Sequence, residues 1–316
     1  MKKLLYPFFL LFSFLSATTI NIPSDYSTIQ EGINASVDGD TVLISQGTYY
    51  ENLILEKEIV LTSHAINDDL DSEWINNENI IETIISGVPE PIDPNKGSCL
   101  IIRNGDIMPT IIGFTFQDGN GTSMVENDNC SVDVLRQERS GGAILIYEAY
   151  PAIMYNRFIN NGGQADGGND PLAVTNGGAI SHYDTEDVEF DEDRNSSNQN
   201  PNSTRIVPTT MNIQNNYFEG NSSGDGKNFY SNGYEGSIDV SYSYFEDIDC
   251  SSNSVNEYVL KSRNGQAEYI QNEISGNCIE GNSFYVSVDG DNNNPGTESD
   301  PLKTIGHALS LVRDDT

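Results

Sequence analysis

The sequence predicts an all-β solenoid with an N-terminal capping helix, and three observations predict it. A turn-and-strand signature recurs: Gly141-Gly142-Ala143-Ile144 returns as Gly177-Gly178-Ala179-Ile180, 36 residues later. A second signature, Asn156-x-Phe158-x-x-Asn161, returns as Asn216-x-Phe218-x-x-Asn221. Weaker echoes follow at Ser243-x-Phe245-x-x-Ile248 and Asn272-x-Ile274-x-x-Asn277, and 27 and 29 residues separate the last three. Short strands at a period of about 20–30 residues, with Gly and Asn at the corners, cannot bury their own apolar faces, so successive turns must stack on a shared core. Third, the chain writes one kind of entrance twice. Residues 20–55 and 284–312 each hold a short apolar strand, a polar loop and an amphipathic helix, with Thr28-Ile29-x-x-x-Ile33 matching Thr304-Ile305-x-x-x-Leu309.

The elements follow in order. Lys2 and Lys3, an apolar stretch over residues 4–15 and the small pair Ser16-Ala17 form an export signal over residues 1–17. The stretch is shorter than the roughly 20 residues that a membrane span needs, and no later segment is long and apolar enough for one. The chain is therefore expected outside the cytoplasm, secreted or at the cell surface, without an integral membrane segment after signal removal. A helix is predicted over 28–37, with Ser27 as N-cap, Gln30 completing a capping-box pattern, and Ile29, Ile33 and Val37 on one face. That face would cover the first rung, which otherwise exposes core and strand edges. Gly39 and Asp40 break the helix, and alternation at Val42/Ile44, Leu53/Leu55 and Ile59/Leu61 marks the following strands. The organisation expected is a β-helix domain over 18–283 and the start of a second, truncated β-helix domain over 284–316. Two insertions interrupt the rungs, at 117–140 and 183–207, and belong to rungs near enough for both to project from one edge.

Fifteen Lys and Arg face 48 Asp and Glu, a formal net charge of −33. Such a surface repels nucleic acid and anionic membranes and favours divalent cations. The four cysteines, Cys99, Cys130, Cys250 and Cys278, allow two disulfides in an exported chain. Proximity favours Cys99–Cys130 and Cys250–Cys278, with the other connectivities and free buried thiols left open.

Residues 28–55, TIQEGINASVDGDTVLISQGTYYENLIL, resemble the opening of right-handed parallel β-helix proteins of the pectin-lyase-like superfamily. Residues 141–161, GGAILIYEAYPAIMYNRFINN, resemble their generic rung. Residues 285–309, YVSVDGDNNNPGTESDPLKTIGHAL, resemble the entry segment of a secreted bacterial β-helix family found in surface and polysaccharide-related proteins. The resemblance implies a right-handed parallel β-helix over roughly 19–285 and leaves the activity open, since many chemistries share this scaffold.

The enzymes of that superfamily use recognisable groups. The pectin esterase comparison begins at residues 113–121, GFTFQDGNG, but the later Q-D-T, D-F-I-F-G and Arg motifs are missing from the sequence. The polygalacturonase comparison offers only Asp247-x-Asp249-Cys250, without the paired Asp and His-Gly motifs. A lyase needs a cation-binding carboxylate set and an Arg or Lys base. Arg136, Arg139, Arg157 and Arg205 lie beside the insertions, near the acidic run Asp184, Glu186, Asp187, Asp191 and Asp193. The catalytic candidates are thus Asp184, Arg205 and Arg139, and the ligand-binding candidates are Tyr183, Asp184, Glu186 and Asp187. His182 borders the same loop and reads as a satisfied surface residue. Asp289, Asp291 and Asn293 partly mimic a Ca²⁺ loop, although Asn294 stands where an EF-hand has Gly. Ca²⁺ is an optional ligand here, and no cofactor is required.

Three function classes remain. The favoured one is a non-catalytic β-helix that binds extracellular polysaccharide or another surface ligand. It fits the missing motifs and the tyrosines at 230, 234, 242 and 244, whose rings can stack on sugars or pack in the core. The alternatives are a polysaccharide lyase or glycoside hydrolase acting on acidic glycans, and a structural stalk or adhesin segment.

Overall fold

A computed structural model describes residues 17–87, 95–105, 107–126, 136–162, 176–184, 188–190, 207–250, 252–255, 258–261, 268–278, 284–294 and 296–311. Residues 1–16 of the export signal lie outside the described residues, as do Cys130, Glu186, Asp187 and Arg205.

Most strands run three to five residues, and many end at or beside Gly, Asn or Asp. The chain is all-β, mostly of parallel strands with few helices, in the arrangement of a parallel β-helix, and no sheet closes into a barrel. The first sheet carries Thr41–Ile44, Val60–Ser63, Thr110–Ile112 and Ala152–Met154. The second carries Gly47–Tyr50, Thr83–Ser86, Thr115–Gln117, Arg157–Ile159, Tyr217–Glu219, Tyr244–Ile248 and Ser275–Cys278. The third carries Leu53–Leu55, Leu100–Ile102, Ile144–Tyr147, Ile180–Tyr183, Phe229–Asn232 and Tyr258–Lys261. The chain visits the three sheets in the same cyclic order, but in the later rungs Thr210–Asn212, Ser237–Asp239 and Glu268–Ile270 form a separate sheet that takes the first sheet's turn. Most pairing is in register, so equivalent side chains lie one above another.

That stacking explains the two signatures. Ile144 pairs with Ile180, and both are buried. Gly141 and Gly177 take φ of +63° and +64°, the left-handed region that glycine enters without strain. A side chain on Gly142 would collide with the carbonyl oxygen of Gly178, so the second glycine of the pair is set by rung-to-rung approach. Phe116, Phe158, Phe218 and Phe245 form a core column with ring centroids 5.5, 5.0 and 4.9 Å apart. Asn156 and Asn216 form one buried amide ladder, and Asn161 and Asn221 another. The backbone N–H of Asn156 donates to Asn216 Oδ1 at 3.0 Å, and that of Asn161 to Asn221 Oδ1 at 3.1 Å. The first ladder passes to Ser243, whose hydroxyl accepts from Asn216 N. The echo at Asn272 is out of phase by two residues: Tyr244 pairs with Ser275, and Asn272 N donates to Ser241 Oγ instead.

The first helix spans Ile29–Ala35, with Ile29 and Ile33 buried against the neighbouring strands. Its N-cap is Thr28 rather than Ser27, and Glu31 rather than Gln30 closes the capping box. Gln30 is used instead on the chain below, accepting from Ile54 N at 2.8 Å and donating to the Ile54 carbonyl. The Glu51 carboxylate receives the N–H groups of Ile29 and Gln30 at 2.9 and 3.0 Å, so a strand end satisfies two otherwise orphaned donors. Val37 leaves the predicted stripe because Ser36 is already extended, and Val37 is 48% exposed.

The repeated entrance near the C-terminus has the same local form but not the same burial. Val286 bridges Leu302, and the helix Ile305–Leu311 follows. Leu302 and Ala308 are buried, yet Val288 and Ile305 are 88% and 68% exposed, where Ile22 and Ile29 are fully buried. The first entrance has the strand Thr41–Ile44 paired to it; among the described residues no strand pairs beyond the second.

Cys250 and Cys278 form a disulfide joining adjacent rungs. Cys99 is a free thiol, fully buried, with Sγ on the Gln117 carbonyl oxygen at 3.4 Å, and its expected partner Cys130 lies outside the described residues. Burial pushes this thiol up to about 12.

Candidate ligand cleft

Between Val60–Ser63 and Thr83–Ser86 the chain leaves the sheets for a run of short helices over 64–81. Three of the four starts are fixed by a small polar side chain: Ser63 Oγ accepts from Ala65 N, an Asp69 oxygen from Asp71 N, and Asn77 Oδ1 from Ile80 N. Asp68 accepts both Asn77 and Asn79 amides at 2.8 Å, which holds its carboxyl below the usual carboxylate range. Ala65, Trp74 and Ile80 form a small second core with Leu70, Ile75, Tyr155 and Tyr217. Arg157 fastens this insertion to the rungs, donating from Nη1 to the Ile75 carbonyl at 3.0 Å while its guanidinium lies 4.2 Å from the Tyr217 ring centre. Tyr217 stacks in turn on Tyr244, with centroids 4.4 Å apart and planes 5° apart.

The insertion faces a corner where successive rungs all take the left-handed conformation. That line reads Gly113, Tyr155, Asn215, Tyr242 and Glu273, with φ of +84°, +57°, +54°, +60° and +52°. Gly and Asn suit this region, whereas a bulky side chain there costs about 1 kcal/mol or more. Tyr155 and Tyr242 therefore hold an unfavourable backbone conformation and place their rings at the corner. Between insertion and corner lies a cleft of about 540 Å³, lined by Trp74, Tyr155, Tyr242, Asn215, Asp71 and Glu273 among others. Trp74 meets Tyr155 edge-on at 5.9 Å, and Tyr242 is 48% exposed. Burial, with the Asp71 carboxylate nearby, raises the Tyr155 hydroxyl above its ordinary value. Among the described residues the lining holds three aromatic rings, two carboxylates and amides, and no lysine, arginine or histidine. Its volume lies within the roughly 300–1,000 Å³ of small-ligand clefts.

The residues singled out from the sequence sit elsewhere. The two insertions do meet: Gly121–Glu126 pairs antiparallel with both Arg136–Ser140 and Val188–Phe190, matching Met124 with Phe190. They form a small sheet over the outside of the third sheet, where Met124 packs with Ile101, Leu145, Tyr183 and Tyr230. Tyr183 is consequently 1% exposed, and its hydroxyl meets Ser140 Oγ at 2.7 Å and Asn176 Nδ2 at 3.1 Å. It packs beneath this cover rather than in an open groove. Arg139 is buried and donates to the carbonyls of Asn120 and Gly121 at 3.1 and 2.8 Å, which fixes the hairpin. Asp184 is half-buried, with its backbone N–H on the Asn232 carbonyl. His182 is an inward core residue rather than a surface one, fully buried beside Tyr150 and Tyr234 with Nδ1 3.1 Å from Ser231 Oγ. Tyr230 and Tyr234 are likewise buried, whereas Tyr242 and Tyr244 reach the surface. In the Ca²⁺-like loop Asp291 Oδ1 accepts from Asn293 N and Nδ2 at 3.0 Å, a local turn. No group of three or more His, Cys, Asp and Glu side chains able to hold a metal occurs among the described residues.

The cleft itself escaped sequence reasoning. One signal was present: Tyr155, Asn215 and Tyr242 each precede a ladder residue, Asn156, Asn216 or Ser243, so they share a rung position.

No protein-family model matches the chain, and no curated protein matches it. Among solved structures the chain is similar to a pectin methylesterase mutant in complex with hexasaccharide IV. The identity is 12% and the TM-score 0.30, over 95% of this chain and 98% of that one. It is also similar to pectin methylesterase in complex with hexasaccharide VII, at 13% identity and a TM-score of 0.29, over 95% and 97%. No helix among the described residues is long and apolar enough to cross a membrane.

Proposed function

We propose that this chain is an exported protein, secreted or held at the cell surface, that binds extracellular polysaccharide without catalysis. The scaffold of this reading is a right-handed β-helix solenoid whose first rung is covered by the helix Ile29–Ala35. The observation that carries the function is the cleft between the 64–81 insertion and the rung corner, lined by the exposed Tyr242, the half-buried Tyr155 and the largely buried Trp74 beside Asp71, Glu273 and Asn215. Aromatic side chains with polar groups around them suit sugar rings, which have apolar faces and hydroxyl edges. The non-catalytic side of the reading is supported by the guanidinium groups of Arg139 and Arg157, which lie on backbone carbonyls. A lyase would need such a group at its substrate.

Trp74 is the sole tryptophan of the chain and lines the cleft, so its fluorescence reports occupancy directly. Titration with a panel of soluble polysaccharides should change Trp74 emission for at least one of them. Tyr242→Asn, which keeps a residue tolerant of the left-handed backbone, should weaken that binding about tenfold or more. No response to any polysaccharide, or release of new reducing or unsaturated ends from one that binds, would overturn the proposal.

A further inference from the structure

We infer that the cleft selects glycans bearing free amino groups and rejects uronate polymers; this rests on the glycan-binding reading above and names the ligand class. Three features of the lining point to a cation. Asp71 and Glu273 are both exposed and both line the cleft, so each is available as a carboxylate partner for an ammonium group. The lining includes three aromatic rings, of which Tyr242 is 48% exposed, Tyr155 half-buried and Trp74 only 8% exposed, and exposed aromatic rings attract cations at close range. Among the described residues no lysine, arginine or histidine lines the cleft to receive an acidic sugar. Arg157, near this region, has its guanidinium stacked on Tyr217 and bonded to the Ile75 carbonyl.

The remainder of the molecule reinforces the selection. A net charge of −33 raises the local concentration of cations and lowers that of polyanions. A uronate chain would bring one carboxylate per residue into this field and find no cationic partner in the lining. An amino-sugar chain of the same backbone would place an ammonium group where carboxylates and aromatic faces converge. A neutral chain would keep the stacking contacts and lose the charge-dependent part.

The test compares three β-1,4-linked hexasaccharides that differ only at C2, bearing an amine, an acetamide or a hydroxyl, with a galacturonate hexasaccharide as the anionic arm. Trp74 fluorescence titrations are run at low salt and about pH 5.5, above the ordinary carboxylate range. The amine hexamer should bind about tenfold or more tighter than the hydroxyl hexamer, with the advantage shrinking as salt is added. Asp71→Asn combined with Glu273→Gln should remove the preference of the amine hexamer over the hydroxyl hexamer. Equal affinity for the amine and hydroxyl hexamers would overturn the inference while leaving polysaccharide binding intact. So would tighter binding of the galacturonate hexamer, or a preference that survives the double substitution. A lack of response from all four sugars and from the wider panel would remove both readings together.

Discussion

Replacing Asn216 with alanine should unlock the centre of the stack. Asn216 is fully buried. Its Nδ2 donates to the carbonyls of Ile153 and Ile213 at 2.7 and 2.8 Å, and its Oδ1 accepts from the Asn156 backbone N–H at 3.0 Å and from Asn156 Nδ2 at 3.3 Å. Asn156 Nδ2 keeps two other acceptors, the carbonyls of Ile111 and Met154. The substitution therefore strands one N–H and removes a donor from two carbonyls, all within the protein. An unsatisfied buried group costs about 1–3 kcal/mol, so the three together give about 3–9 kcal/mol, a large part of the ordinary stability of about 5–15 kcal/mol. Urea denaturation followed by far-UV circular dichroism measures the loss. Hydrogen exchange at the Asn156 amide locates it, since that proton should lose protection first. Asn216→Asp is the companion variant: it keeps the acceptor to Asn156 but sets a carboxylate against two carbonyl oxygens, and it should be comparably unstable at neutral pH. A stability within about 1 kcal/mol of the parent for Asn216→Ala, with Asn156 still protected, would refute the reasoning that the ladder ties one rung to the next.

Four further outcomes are expected. Ile29→Asp places a charge at a fully buried site between the first helix and the strands, and should cause loss of soluble protein, which unchanged melting and solubility would contradict. Asp40 accepts the N–H groups of Val37 and Thr18 at 2.9 and 2.8 Å, and these bonds hold its carboxyl below the ordinary value. Its stabilisation is thus present above the unfolded carboxylate range of about 4 and is lost as pH falls through the lower folded value; thermal melts from about pH 6 to pH 2 should show a shallower acid loss for Asp40→Asn than for the parent. Cys99, buried with its thiol pushed up to about 12, should resist thiol reagents in the native protein and react on unfolding. Reduction of Cys250–Cys278, which closes a 28-residue separation, should destabilise the last rungs by about 3–4 kcal/mol, measured by urea denaturation with and without reductant.

By itself the sequence determined the repeat and much of the core. The glycine pairs at 141–142 and 177–178, the ladder residues Asn156, Asn161, Asn216 and Asn221, and the phenylalanine column all carry their spacing in the chain, because each rung must present the same residue at the same place to its neighbours. It also carried the apolar stripe of Ile29 and Ile33, while misplacing the N-cap by one residue and extending the stripe to Val37. What only the tertiary structure decided is what lies on top of the rungs. Tyr183, Arg139 and Tyr242 are all polar-edged residues beside insertions, and nothing local tells them apart. The antiparallel sheet of the two later insertions folds over the third sheet and buries Tyr183 and Arg139, whereas the 64–81 helices stand beside the corner and leave Tyr242 open. The two entrances make the same point with matching residues: Ile29 is buried and Ile305 exposed, because burial depends on the surface a helix meets as well as on its own pattern.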